Sequence, residues 1–273
     1  MFSFSKILRR AGGALALAAA SLASSSVPLT TQLGFLIDAS GSIGTTNFNI
    51  MKSGYASALA ALPTDGSIEV TIFTSSSGAT QVVAPTVVTA ASLPGIVSGI
   101  NSMAYSAGST ATATGITAIA NAMTGSANFN QNLNSMINIA TDGAPNLSNQ
   151  NGVSPQQAAI NAAIAAKDKG IDALTAEFIG GKPSDANFLK DLVFSPIAGP
   201  CSGCGTYLAA GSTPTDPMTT NPWVLKVDSF DDFPTAIKTK VQVATGQVPE
   251  PGVLMLLALG LVGLGVARRS RCD

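Results

Sequence analysis

Five oxygen-bearing side chains, at three separate places in the chain, are the strongest candidates for chemistry in this sequence. Two are carboxylates and three are hydroxyls: Asp38, Ser40, Ser42, Thr110 and Asp142. Glycines follow Ser40 and Asp142 directly, and glycine permits tight backbone turns. Carboxylate and hydroxyl oxygens are ligands for hard cations. The set therefore predicts a site for one divalent ion, Mg²⁺ first, with Mn²⁺ or Ca²⁺ as alternatives.

Composition excludes most other chemistry. The 273 residues include no histidine, which removes Ser-His-Asp and Cys-His catalysis and every histidine-ligated zinc or haem site. Three cysteines are too few for a four-cysteine zinc or iron–sulfur centre. Any metal must therefore be held by oxygen.

The distribution of charge argues against a nucleic-acid partner. All five arginines lie near the two ends of the chain: Arg9, Arg10, Arg268, Arg269 and Arg271. Residues 24–250 contain eight lysines against fourteen acidic residues, a net charge of −6. A body without arginine lacks the fork that recognises phosphate and guanine. We therefore expect no nucleic-acid binding.

The elements that must position these side chains alternate between strands and helices. Short apolar runs predict buried strands at 33–37, 136–140, 171–179 and 223–227. The segments 67–74 and 79–84 are predicted to form a hairpin. Helical patterns cover 45–62, 89–100, 112–123, 155–169, 184–192 and 229–243. The fourth of these helices begins after a capping box at Ser154. Long crossovers between buried strands favour a parallel sheet.

We therefore predict an α/β fold for residues 30–245: a doubly wound, mostly parallel, Rossmann-like sheet with helices on both faces and one hairpin edge. Residues 195–222 are rich in Pro, Gly, Ser and Thr and are predicted to be an inserted loop.

In such sheets, ligands bind outside the carboxyl ends of the strands. Residues 38–42 follow the first strand, Asp142 follows the strand at 136–140, and Thr110 lies in a loop that enters a helix. Taken singly, the serines or Thr110 could cap helices, and Asp142-Gly143 could be a simple turn. Taken together, at strand ends that should be adjacent, they favour a metal site.

The same residues resemble the metal-ion-dependent adhesion site of the von Willebrand factor type A (VWA) domain. Residues 35–42 match its first motif, 108–112 are similar to its second and 139–143 to its third, while 223–233 resemble its last strand and helix start. The resemblance implies that Ser40, Ser42 and Thr110 bind the metal directly, with a partner carboxylate completing the shell. It implies that Asp38 and Asp142 act directly or through water.

One departure from the family pattern follows the first motif. Residues 43–46 are Ile-Gly-Thr-Thr, so the acidic pair that builds a neighbouring second metal site in integrins is missing.

The function implied is a metal-dependent adhesion or binding module without catalysis, whose partner is a protein or an acidic polysaccharide. One alternative is a structural matrix protein with a vestigial metal site. The other is a haloacid dehalogenase-like hydrolase, which would need a second carboxylate where Ser40 stands. A dinucleotide enzyme would need Gly-x-Gly-x-x-Gly after the first strand, and that motif is absent there.

The N-terminal end has the pattern of a targeting segment. Residues 1–23 carry three basic residues, then an uncharged run and a small-residue cleavage site, as in a secretory signal peptide removed by signal peptidase.

The C-terminal residues 248–273 form a second targeting pattern. Pro249, Glu250 and Pro251 precede an apolar run at 252–267 and then an arginine cluster. This arrangement resembles the PEP-CTERM sorting signal of Gram-negative bacteria. The resemblance implies exosortase cleavage near the Pro-Glu-Pro and release to the cell surface or extracellular matrix. Until cleavage, a hydrophobic helix at 252–267 would anchor the protein in the inner membrane, its only predicted contact with a membrane.

Cys201 and Cys204 form a Cys-x-x-Cys within the predicted insertion. An exported chain favours a disulfide between them. A redox site is the alternative, but no strand-to-helix context surrounds the pair. Cys272 lies beyond the tail arginines and would be lost on cleavage.

Overall fold

A computed structural model describes residues 27–247, which form one sheet with helices packed on both faces. The strands are β1 Thr31–Asp38, β2 Asp65–Ser75, β3 Ala79–Thr89, β4 Asn134–Thr141, β5 Ala173–Ile179, β6 Thr206–Leu208 and β7 Trp223–Val227. The helices are α1 Gly44–Leu59, α2 Leu93–Asn101, α3 Thr112–Thr124, α4 Pro155–Asp168, α5 Pro183–Leu192 and α6 Phe233–Ala244, preceded by a 3₁₀ turn at Phe230–Asp232.

The seven strands lie in the order β3-β2-β1-β4-β5-β7-β6. All neighbouring pairs are parallel except β2 with β3, which form the antiparallel hairpin edge. The order runs outward from β1 in both directions, so the fold is doubly wound, as the sequence predicts. The parallel arrangement places the carboxyl ends of β1 and β4 side by side.

Two apolar cores lie on opposite faces of the sheet. One packs α1, α2 and α6 against it and includes Phe48, Tyr55 and Phe233. The other packs α3, α4 and α5 and is rich in alanine along α4. Burial on both faces explains why the central strands are almost uninterrupted apolar runs.

The element bounds differ from the predicted ones by one to five residues in most elements. β3 ends at Thr89, five residues beyond the predicted end at 84, and the helix predicted from 229 starts at Phe233, after the 3₁₀ turn. The helix predicted from residue 89 begins at Leu93, because β3 extends to Thr89 and the Ser92 hydroxyl accepts a hydrogen bond from the Thr89 amide (2.9 Å). The insertion is not wholly loop, because β6 pairs in parallel with β7 and becomes an edge strand. Three residues are too few to show a strand periodicity in the sequence.

Only one of the two hydrogen bonds of the predicted capping box at Ser154 is formed. The Ser154 hydroxyl accepts from the Gln157 amide, but the Gln157 side chain bonds Asn161 and does not return to Ser154.

The predicted signal peptide at 1–23, the Pro-Glu-Pro and the predicted membrane helix at 252–267 lie outside the described residues. Within 27–247, no helix is both long and apolar enough to cross a membrane.

Candidate metal centre

Asp38 ends β1 as a buried carboxylate, with its residue 4% exposed. The Ser40 amide donates to its Oδ1 (2.8 Å) and the Thr141 hydroxyl donates to its Oδ2 (2.6 Å). Thr141 reaches Asp38 because β4 runs parallel to β1 and ends beside it. Sequence reasoning missed Thr141, although its position immediately before Asp142 was a usable signal. The two bonds fix the orientation of the carboxylate at the sheet edge.

Ser42 connects the first motif with the third. Its hydroxyl donates to Oδ1 of Asp142 (2.8 Å), and the hydroxyls of Ser40 and Ser42 lie 3.3 Å apart. The bond from Ser42 to Asp142 joins residues 100 positions apart in the chain. The structure therefore brings four of the five predicted residues into one connected cluster: Asp38, Ser40, Ser42 and Asp142.

Thr110, the fifth, is held against this cluster by its loop. The Gly41 amide donates to the Gly108 carbonyl (2.8 Å), and the Ala107 amide to the Ala39 carbonyl (3.1 Å). Thr110 is buried and lines a small depression that Asp38 and Thr141 also line. The loop thus approaches the first motif through its backbone.

Serines in the β2–β3 turn support the same loop, and sequence reasoning missed them. The Ser76 hydroxyl accepts from the Gly108 amide (3.0 Å), and the Ser77 hydroxyl from the Ser109 amide (2.9 Å). A side chain at Gly108 would overlap both hydroxyls. Ala107 adopts φ = 55°, a left-handed conformation that is strained for a residue other than glycine.

A second supporting contact lies on the other side of Thr110. The Thr110 amide donates to Oδ1 of Asn146 (2.8 Å), and the Asn146 amide returns a bond to the Thr110 carbonyl (3.1 Å). Asn146 belongs to the loop after β4. The second and third motifs are therefore also tied together by backbone geometry.

Asp38 and Asp142 have no positively charged partner among the residues that the structure describes. Burial raises the pKa of Asp38, although hydrogen bonds from Ser40 and Thr141 oppose the shift. Burial also raises the pKa of Asp142, and the charge of Asp185 adds to that rise. The ion pairs among residues 27–247 are Lys226–Asp228 and Lys240–Glu177, and neither involves these groups. A divalent cation would supply the missing charge, so the donor set fits such an ion.

The simpler interpretations of the hydroxyls fail at both helices. Neither α1, which follows Ser42, nor α3, which follows Thr110, has a side-chain hydrogen bond at its N-cap. Among the described residues, no group of three or more His, Cys, Asp or Glu side chains could hold a metal. A metal at this edge therefore depends on the hydroxyls as well as the carboxylates.

Cys201 and Cys204 lie in the loop before β6, with their Cα atoms 5.3 Å apart. That separation permits a disulfide. The pair is far along the chain from the metal-site motifs, and its oxidation stays a prediction.

The chain matches the family model of the von Willebrand factor type A domain over residues 32–202, more than half of its length. Residues 247–271 match the PEP-CTERM protein-sorting motif. The first match ends inside the insertion, whereas the sheet continues through β7. Both families that the sequence motifs resemble are thus found. Comparison with curated proteins finds no match.

Three similar solved structures are surface or matrix proteins. They are proximal thread matrix protein 1 from the mussel byssus with a zinc-occupied MIDAS motif (TM-score 0.56, 20% identity, 81% of this chain and 49% of that one), the pilus adhesin SpaC from Lactobacillus rhamnosus GG (0.58, 16%, 78% and 30%) and the vWF domain of the type V pili tip protein Mfa5 from Porphyromonas gingivalis (0.58, 12%, 83% and 99%). The chain spans about half the length of the mussel protein. At these identities, the likeness shows the fold.

Proposed function

Because this chain belongs to the von Willebrand factor type A domain family, we propose that it is a binding module that captures a carboxylate-bearing partner through one divalent cation. The observation that carries this proposal is the bond from Ser42 to Asp142, which joins the first and third motifs at one point of the sheet edge. Domains of this family commonly bind a divalent cation at this edge, and a similar solved structure holds zinc there.

The residues that would hold the cation divide by role. Ser40, Ser42 and Thr110 would bind it directly, while Asp38 and Asp142 would bind directly or through water. Mg²⁺ suits a set of oxygen donors that keeps some coordinated waters. Three neutral hydroxyls leave the ion incompletely neutralised, so a carboxylate from a protein or an acidic polysaccharide would complete the shell.

The fold and the site favour binding over catalysis. Ser40 occupies the position where a haloacid dehalogenase-like hydrolase needs its second carboxylate, and its amide and hydroxyl already serve the cluster. The similar structures are named as adhesins, pilus proteins or matrix proteins. These observations support a non-enzymatic role for this chain.

The sorting motif at 247–271 indicates an exported protein and implies processing by an exosortase. We place the module at the cell surface or in the extracellular matrix of a Gram-negative bacterium. The tail at 252–267 would anchor it in the inner membrane only until cleavage.

Metal titration of the exported protein tests the proposal. Calorimetry should detect one Mg²⁺ or Mn²⁺ site, and Asp38→Ala should abolish it. Because that change orphans the donors Ser40 and Thr141 in a buried place, the exposed Ser42→Ala serves as a second variant that leaves folding intact. Exposed Ser106→Ala is the matched control and should bind as wild type. Equal affinity in wild type and both site variants would show that the ion binds elsewhere, and no binding by wild type would favour the structural protein with a vestigial site.

A further inference from the structure

A groove runs along the sheet edge from the metal site toward the insertion. Its first part is lined by three carboxylates and two glycines: Asp142, Asp231, Gly180, Gly181 and Asp228. Its second part is also lined by Gly180, Gly181 and Asp228. Tyr207 of β6 and two lysines line it as well. We call it the Asp142–Tyr207 groove. The two parts adjoin, so an extended ligand on the cation can continue into the second part.

Glycines keep the floor of this groove open. Gly180 adopts φ = 62°, which favours glycine over other residues. A side chain at Gly181 would overlap the carbonyl oxygen of Asp142 and the ring of Phe178. No side chain therefore stands at these two positions between the metal site and the second part of the groove.

The insertion builds the far wall. Tyr207 lies on β6, pairs in register with Val224 and is 38% exposed. The loop that carries Cys201 and Cys204 is fastened to the end of α5, because the Gly205 amide donates to the Lys190 carbonyl (2.9 Å). Asp191 accepts from the amide of Gly203 in the same loop. The wall is thus fixed relative to α5.

The second part of the groove is lined by two lysines and one carboxylate, a net charge of +1, whereas the first part is acidic apart from the proposed cation. Lys190 and Lys226 both line the second part, although the body has only eight lysines against fourteen acidic residues. Lys226 pairs with Asp228 (2.7 Å), but both side chains are exposed, at 44% and 61%. Such a pair is weak in water and can be replaced by an incoming carboxylate. An anion is therefore favoured here in a protein that is otherwise acidic.

An exposed tyrosine in the same part of the groove as two lysines suits one class of ligand. The ring of Tyr207 offers a flat, partly apolar face with a polar tip, and the lysines accept an anion at the same place. An acidic polysaccharide presents apolar sugar-ring faces and carboxylates at regular intervals along a stiff chain. It can therefore place one carboxylate on the cation and the next unit in the second part of the groove.

Resting on the proposed function, we propose that the Asp142–Tyr207 groove is a subsite for an acidic polysaccharide. One uronate carboxylate completes the shell of the divalent cation. A later sugar of the same chain stacks on Tyr207, with its carboxylate on Lys190 and Lys226. The insertion exists, on this view, to extend a single-point metal contact into a site that measures chain length.

Oligogalacturonides of one to six sugars test the subsite by calorimetry on the exported protein with saturating Mg²⁺. We expect affinity to rise with length and then level off once the groove is filled. Tyr207→Ala and the double change Lys190→Gln with Lys226→Gln should each weaken binding of the long oligomers by about threefold to tenfold. Neither should alter Mg²⁺ affinity or binding of the monomer. The double change Lys169→Gln with Lys238→Gln, at two exposed lysines that do not line the groove, is the charge-matched control.

The outcomes separate this proposal from the one on which it rests. If the wild-type protein does not bind Mg²⁺, or if it binds oligogalacturonides equally well in the presence of a chelator, the proposed metal-dependent module is wrong. Metal-dependent capture that shows no length dependence, and no effect of Tyr207→Ala or the lysine changes, would overturn the subsite alone. If a hexaglutamate peptide binds more tightly than the hexasaccharide and shows the same variant pattern, the groove is a peptide site and the polysaccharide proposal is wrong.

Discussion

Lys240 of α6 and Glu177 of β5 form an ion pair of 2.8 Å inside the core, with side chains only 3% and 0% exposed. The ammonium group also lies 4.9 Å from the ring centre of Trp223. Asn138 and Tyr55 bond to each other in the buried core (3.2 Å) and continue the polar cluster, since the charge of Glu177 acts on Tyr55. The Lys240–Glu177 pair joins α6 to the sheet face opposite α4.

Removing one partner of this pair should destabilise the fold strongly. Lys240→Met leaves a buried carboxylate without its cation, which typically costs about 3–5 kcal/mol. The double change Lys240→Met with Glu177→Leu should recover most of that loss, because an apolar pair needs no compensation. Urea denaturation measures both. Lys238→Met, two residues away and exposed, should stay within about 0.5 kcal/mol of wild type.

The pair also predicts a pH dependence. Burial lowers the pKa of Lys240 to about 8 from 10.5, while Glu177 opposes the shift. Between these two values the unfolded chain binds more protons than the native one, so the contribution of Lys240 to the unfolding free energy increases with pH. Tyr55 stays neutral there, because burial raises its pKa well above 10. Urea denaturation at pH 7.5, 9 and 10 should show that the unfolding free energy of wild type rises relative to that of Lys240→Met. Parallel pH curves for the two proteins would contradict this.

Asp185 at the start of α5 is a further acidic group at the metal site. Its charge raises the pKa of Asp142, and it lies close to Gly143. Asp185→Asn should weaken Mn²⁺ binding by roughly threefold to tenfold, because a nearby negative charge favours the cation. The exposed Asp168→Asn on α4 carries the same charge change away from the site and should bind normally. If calorimetry gives the same Mn²⁺ affinity for Asp185→Asn and Asp168→Asn, Asp185 does not contribute to the site.

Gly181→Ala should disturb the proposed metal site without changing a ligand side chain. The added methyl would overlap the carbonyl oxygen of Asp142, so the β4–α4 loop must move. Supporting positions of this kind typically change metal affinity by about tenfold or more. Gly95→Ala on α2 has open space around it and should leave Mg²⁺ affinity unchanged. Normal binding by Gly181→Ala would show that the loop absorbs the methyl elsewhere.

The exported protein should lack the residues after about Pro251. The Pro-Glu-Pro, apolar run and arginine cluster within the matched sorting motif are the basis for this expectation. Intact mass measured on protein recovered from the medium checks it. The same unreduced sample should show Cys201 and Cys204 without free thiols. Recovery of a peptide containing Cys272 would contradict cleavage.

Much of the fold and of the candidate site can be predicted from the apolar runs and from the polar residues that follow them. The apolar run before Asp38 and the one before Asp142 identified two parallel strands, and their register in the sheet places both carboxylates at one edge. Periodicity also gave the doubly wound class, since each buried run is separated from the next by a helix-length crossover. These inferences succeed because they depend on local chemistry and on the chirality of parallel sheets.

The supporting contacts could not be predicted in that way. Ser76, Ser77 and Asn146 are ordinary polar residues in the sequence, and each becomes specific only when a distant segment reaches it. The same holds for β6, whose three residues become a strand because β7 offers an open edge.

The sequence by itself therefore determined the fold class and the C-terminal sorting motif, because each is written in residue type and spacing. The oxygen-only donor set and the signal peptide stay predictions from the same sequence. Only the tertiary structure decided which hydroxyls orient the carboxylates, that Lys240 is buried on Glu177, and that the insertion walls a groove reaching the metal site. The physical reason is that these relationships join residues far apart in the chain. Their energies depend on burial and distance, which residue order does not encode.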